Sequence, residues 1–238
     1  MKLDILGIFA HPDDAELCCA GTLLKHVSLG KSVGVVDITM GQLGSRGTPM
    51  IRLAEADKAA QILGLAIRDN LELEDGYIEN DAAHRLKIIE AIRKYQPEIV
   101  ITNAIEDRHP DHGRAAKLVS DSCFFSGLHR IKSIDQGQEQ DAWRPKVVYH
   151  AVQDRYLKPH FIVDVSPFVD KKFEAIMAFE SQFYSPNSTE PDTPISTKEF
   201  LEVVKARMRD YGRLINAEFG EGFTSERPLG IADMTQLI

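Results

Sequence analysis

The sequence predicts an α/β fold: a Rossmann-like, doubly wound and mostly parallel sheet with helices on both faces. Three observations predict it. Several short runs are apolar almost throughout, segments of helical periodicity lie between them, and the helical segments end at recognisable stops. At 238 residues the chain suits one domain with one substantial core, so residues 1–238 are read as a single unit.

Residues 3–10 form the first run, interrupted only by Asp4, and its near-continuous apolarity suits a strand covered on both faces. Residues 15–29 follow with helical spacing. The next strand is expected over 32–39 and the next helix over 50–63, where Gly64 stops it. A short strand over 66–73 precedes a helix over 82–95, which ends at Gln96-Pro97, and a fourth strand is expected over 98–103. Strands alternating with helices imply right-handed crossovers and a sheet of order 3-2-1-4-5. Two more strands are expected over 146–152 and 161–165. Residues 126–144 are polar, and 184–197 carry Pro186, Pro191 and Pro194 among Ser, Thr and Asn, so 126–144 and 184–198 are expected as long surface loops, candidates for a lid or a subunit contact. Residues 198–216 read as an amphipathic helix with an apolar stripe through Phe200, Leu201, Val204, Met208 and Leu214.

Composition narrows the classes of function. With 43% hydrophobic and 27% charged residues, and no apolar stretch of roughly eighteen residues, no transmembrane helix is expected. The first apolar run lacks the features of a signal peptide, so a cytoplasmic protein is expected, with no membrane partner. Cys18, Cys19 and Cys123 read as reduced thiols in the core. A formal charge of −8 and a pI near 5.5 argue against nucleic acid as a partner.

In a sheet of the expected order, the carboxyl ends of the first and fourth strands flank the crevice where ligands bind. His11, Asp13 and Asp14 leave the end of the first strand, and Arg108-His109-Pro110-Asp111-His112 follows the fourth. Imidazoles and carboxylates brought together suit a divalent ion held by three protein ligands with one position open. Taken alone, either motif also reads as a polar turn, with Asp14 capping a helix. His84, His129, His150 and His160 read as structural, and Asp107 as a helix-start carboxylate.

AHPDDAE at 10–16 with Gly21-Thr22 after it, and HPDH at 109–112, resemble the two signature motifs of the LmbE/PIG-L family of zinc-dependent N-acetylglucosamine deacetylases. Residues 40–48, with Arg52 and Glu55, resemble the segment between those motifs, and the similarity extends over nearly the whole chain. The resemblance implies that His11, Asp14 and His112 bind Zn2+, with iron, cobalt or manganese as other ions such a site holds. It implies Asp13 as the general base, a protonated His109 stabilising the oxyanion, and Asp111 holding His109; His109 or Asp13 would protonate the leaving amine. Arg52 would lie beside the sugar and Arg108 would meet carboxylates of an aglycone. The RHPDH form and residues 220–223 resemble most the members that deacetylate N-acetylglucosaminyl malate in bacillithiol biosynthesis, with a chitooligosaccharide or another glucosamine conjugate as the alternative. The partner implied is a small-molecule glycoside substrate, and the assembly implied is a homo-oligomer, a trimer or hexamer. Two further classes compete: a non-catalytic zinc protein of the same fold, and a nucleotide-binding protein, against which stands the absence of a G-x-G-x-x-G turn.

Overall fold

The computed structural model describes residues 1–186 and 188–236. β1 (Ile5–Phe9) leads to α1 (Asp14–Ser28), β2 (Val33–Thr39) to α2 (Pro49–Leu63), β3 (Ile67–Leu73) to α3 (Ala82–Tyr95), and β4 (Ile99–Thr102) to α4 (Pro110–Phe125). A hairpin of β5 (Ile134–Asp135) and β6 (Gln138–Glu139) follows, then β7 (Val147–Ala151), β8 (Phe161–Asp164), α5 (Val169–Met177), α6 (Lys198–Leu214) and β9 (Gly220–Ser225).

The seven-stranded sheet has the order β3-β2-β1-β4-β7-β9-β8. Its first five strands are parallel and in the expected 3-2-1-4-5 arrangement, and β9 enters antiparallel between β7 and β8. Successive side chains of β1 go to opposite faces. Leu6 and Ile8 join Ile88 and Ile92 of α3 and Leu118 of α4, while Ile5 and Phe9 join Leu23 and Leu24 of α1 and Ala175 of α5. Helices on both faces explain why β1, β2 and β4 are apolar at nearly every position.

The structure departs from the sequence reading in five places. Residues 110–125, 169–177 and 220–225 are regular elements that the pattern did not predict. In β9 the glycines are imposed by neighbours: a Cβ on Gly222 would lie 2.9 Å from the Tyr211 ring, and one on Gly220 would lie 2.5 Å from Ile162. The expected loop 126–144 holds the β5-β6 hairpin and is pinned by Arg93, which donates to the carbonyls of Ser126, Leu128 and Ile131 and to the Ser133 hydroxyl. On α6 the apolar stripe runs through Val204, Met208 and Tyr211, whereas Leu214 is exposed, so it is not part of the stripe. The loop expected over 184–198 is irregular up to the start of α6, and its position 187 lies outside the described residues.

α1 is interrupted at Cys19, whose φ of −144° is not helical. The carboxylate of Glu221 accepts the Gly21 and Thr22 amides at 3.0 and 2.7 Å and the Thr22 hydroxyl at 2.6 Å, acting as a cap for the second half of the helix. Lys172, equally buried, donates to Glu221 at 2.6 Å and to the Leu17 carbonyl at 2.9 Å. Thus α5 and β9 hold the first turn of α1 from behind. All three cysteines are free and buried. Among the described residues no helix is long and apolar enough to cross a membrane.

Candidate metal and catalytic site

Because β1 and β4 are neighbours, with Ile8 opposite Thr102, the segments leaving their carboxyl ends emerge side by side. Asn103 fastens them: its Oδ1 accepts the Ala10 amide at 2.8 Å and its Nδ2 donates to Asp14 Oδ2 at 3.0 Å. His11, Asp13 and Asp14 thereby meet His109 and His112 around a cavity of about 200 Å³. The ring centres of His11 and His109 lie 4.6 Å apart, those of His109 and His112 5.3 Å, and those of His11 and His112 5.6 Å. Asp14 stands between two of these rings, its Oδ1 3.1 Å from His112 Nε2 and its Oδ2 3.4 Å from His11 Nδ1.

Asp13, first of the two aspartates, has φ 110° and ψ −22°, a strained conformation for a residue with a side chain. Arg52 reaches across from α2 to hold this turn, donating from Nη2 to the Pro12 carbonyl at 2.5 Å and to Asp13 Oδ2 at 3.1 Å. Gly41 leaves room for the guanidinium: a Cβ there would lie 1.8 Å from Arg52 Nη1. Arg52 is therefore a buried partner of Asp13 that also lines the cavity. Arg108 is half-exposed at the rim, with its Nε on Asp154 Oδ2 at 2.8 Å.

Asp111 meets His109 through its backbone, its N–H donating to His109 Nδ1 at 3.3 Å. Its carboxylate turns to the Gly76 amide at 2.8 Å and to His11 Nε2 at 3.6 Å. An accepting Nδ1 leaves the His109 proton on Nε2, and burial, then the neighbouring His11 and His112, hold its pKa below the ordinary imidazole value. This arrangement favours a neutral imidazole at His109 over the charged group expected.

Four residues that the sequence reading did not assign complete the cluster. Asp107 is not at a helix start, since His109 occupies the N-cap of α4; its Oδ2 accepts from His112 Nδ1 at 2.6 Å and its Oδ1 takes the Arg155 amide at 2.7 Å. Asp75 lies 3.1 Å from His11 Nε2. Asn103 and Gln153 both donate to Asp14, the latter to Oδ1 at 2.8 Å. A polar Asn closing an apolar strand, and an acid five residues before a histidine, were signals within reach; Asp75 and Gln153 had none.

The donor set fits a divalent cation. One ligand atom from each of His11, His109 and His112 lies within 4.8 Å of the others, and the same holds for His11, Asp75 and Asp111. Buried carboxylates also outnumber guanidiniums here, and the surplus charge is balanced by protons. Burial opposes a charged His112, but Asp14 and Asp107 raise it to about 9; His11 is likewise raised, against burial, by Asp111, Asp14 and Asp75. A bound cation would take the place of those protons. Burial pushes Asp13 up to about 7, against the pull of Arg52.

A doubly wound α/β domain with a histidine–aspartate cluster suited to a metal ion at its switch point defines the class of protein. Residues 6–123 match the model of the PIG-L family, GlcNAc-PI de-N-acetylase. Among curated proteins, the chain is 28% identical over 191 residues to the diacetylchitobiose deacetylase of Thermococcus kodakarensis, spanning 75% of this chain and 70% of that one. It is 27% identical over 199 residues to the probable N-acetyl-alpha-D-glucosaminyl L-malate deacetylase 2 of Bacillus anthracis, spanning 75% and 81%. The solved structure of the conserved protein TT1542 from Thermus thermophilus superposes with a TM-score of 0.86 at 32% identity, over 98% of each chain. This chain belongs to the PIG-L family of de-N-acetylases.

Proposed function

We propose that the protein hydrolyses the N-acetyl group of a glucosamine conjugate, releasing acetate and a free amine, and that the conjugate is N-acetylglucosaminyl malate. The observation that carries this reading is the convergence of His11, Asp13, Asp14, His109 and His112 on one buried cavity. His11, Asp14 and His112 would hold Zn2+ or another divalent transition metal. Such an ion, when bound, acidifies water and polarises an amide carbonyl.

The chain's own groups supply the rest. Asp13, buried and clamped by Arg52, takes the proton of the attacking water; a carboxylate titrating near 7 is matched to that task. His109, with its proton on Nε2, donates a hydrogen bond where the carbonyl oxygen becomes negative. The departing nitrogen then takes a proton from Asp13 or His109. Asp107 and Asn103 keep His112 and Asp14 in place. Arg52 and Arg108, both lining the cavity, would contact the sugar and its substituent.

A second reading, deacetylation of a chitooligosaccharide, is supported by the likeness to the Thermococcus enzyme. Amine release by the zinc-loaded protein from N-acetylglucosaminyl malate, N-acetylglucosamine and diacetylchitobiose separates the two. Preference for the malate conjugate is expected, and preference for the disaccharide would favour the second reading. Asp13→Asn is expected to retain zinc while turnover falls about 100- to 10,000-fold; a variant that keeps its turnover removes Asp13 from the role of base.

A further inference from the structure

A second cavity of about 320 Å³ opens beside the first, between α6 and the loops that carry Arg108 and Asp154. Leu17, Arg108, His112, Gln153 and Ile195 line both cavities, so the two are continuous. Three of its features have no part in the hydrolysis described above. Phe200, Val203 and Val204 of α6 line it, and Val203 is 52% exposed although apolar. Arg207, one helical turn after Val203, lines it too; it donates to the backbone carbonyl of Asp154 and pairs with no carboxylate among the described residues. Gln153, at the junction and 8% exposed, has its Nε2 on Asp14 Oδ1, which as a carboxylate only accepts; its Oε1 is buried with no partner among the described residues.

We infer that this groove is the subsite for the substituent carried by the glucosamine, and that it selects a substituent bearing a carboxylate. Arg207 pairs with the carboxylate, Phe200 and Val203 cover the carbon skeleton, and Gln153 Oε1 accepts a hydroxyl near the point of attachment. The inference rests on the reading that the reaction takes place at the adjoining histidine–aspartate cluster. Charge decides the class of ligand. Asp154 is engaged by Arg108 Nε at 2.8 Å, and Glu199 stands two turns of α6, about 12 Å, from Arg207. Glu199 lines the groove as well, but from that distance it leaves the guanidinium of Arg207 unmatched, and a carboxylate offers it paired, charge-assisted hydrogen bonds that a neutral second sugar does not.

Calorimetry on the zinc-loaded protein with the two product amines, glucosaminyl malate and glucosamine, tests the subsite without requiring turnover. The natural protein is expected to bind the malate conjugate at least about ten-fold more tightly, and Arg207→Met to abolish most of that ratio. Val203→Asp, which sets a like charge beside the ligand's carboxylate, is expected to lower the ratio as well. Equal affinities for the two amines, no binding of either, or an unchanged ratio in Arg207→Met overturns the subsite. A changed oligomeric state in Val203→Asp with the ratio intact also overturns it, making this face a contact between copies. In turnover of the acetylated conjugate, the loss in Arg207→Met is expected in KM rather than kcat. Absence of turnover beside an Arg207-dependent binding ratio would count against deacetylation alone.

Discussion

The Nδ1–H of His112 donates to Asp107, whose other oxygen takes backbone amides from the chain after β7. Asp107→Asn replaces an anionic acceptor with an amide and loosens the imidazole, so zinc affinity is expected to fall about 10- to 100-fold in competition with a chelator. Unchanged affinity would mean that His112 does not hold the ion. Gly41 offers a second point of attack. Gly41→Ala places a methyl group in the space of the Arg52 guanidinium at a backbone φ of +67°, so Arg52 must leave the Pro12-Asp13 turn. Turnover is expected to drop at least about ten-fold with the fold intact by circular dichroism; full activity would show that the clamp is dispensable. The two motifs made five of the clustered side chains readable in the sequence, because each motif is contiguous. Asp75 was not readable, since it arrives from the loop after β3 to meet His11 across 64 positions of sequence.

At the level of elements, the break in α1 and the strand β9 share one carboxylate. Removing it in Glu221→Ala strands Lys172 as a buried cation and leaves the Gly21 and Thr22 amides without their acceptor. The expected cost is about 3–5 kcal/mol in urea unfolding, since a lone buried charge is far worse than none; a loss below about 1 kcal/mol would mean that the pair contributes no more than an exposed one. Strands β1, β2 and β4 were readable because burial on both faces writes a near-continuous apolar run, whereas the edge strand β3 is largely polar. β9 was not: Gly-Glu-Gly gives neither alternation nor a run, and its meaning lies in Tyr211 and Ile162, which occupy the space above the glycines. α5 is nine residues long and follows a Ser-Pro step, too short for its period to stand out. α4 begins inside the HPDH motif, where Pro110 at the first turn marks a start that the chemistry of the motif obscured.

For the molecule as a whole, stability and metal binding draw on the same protons. His112 titrates near 9 in the fold against a usual 6.5, so the fold holds this proton more tightly than the unfolded chain does. Its contribution is fully present below about pH 6.5 and is lost as pH rises to about 9, roughly 3 kcal/mol in the zinc-free protein. Thermal unfolding with a chelator is expected to show a falling Tm across that window, and zinc at saturating concentration to remove the fall. An identical fall with and without zinc would exclude His112 as a ligand. The overall sheet order was foreseeable because crossover handedness leaves few arrangements; the extra pair β9-β8 at the edge was not. The proposed hydrolytic groups lie between positions 11 and 112, whereas the helical wall of the adjoining groove begins after 193 and meets them only at a shared rim. On the proposed reading, the helical side of the groove is thereby written apart from the hydrolytic cluster, so substitutions within 194–207 can retune the choice of conjugate without altering the groups that act on its acetamide.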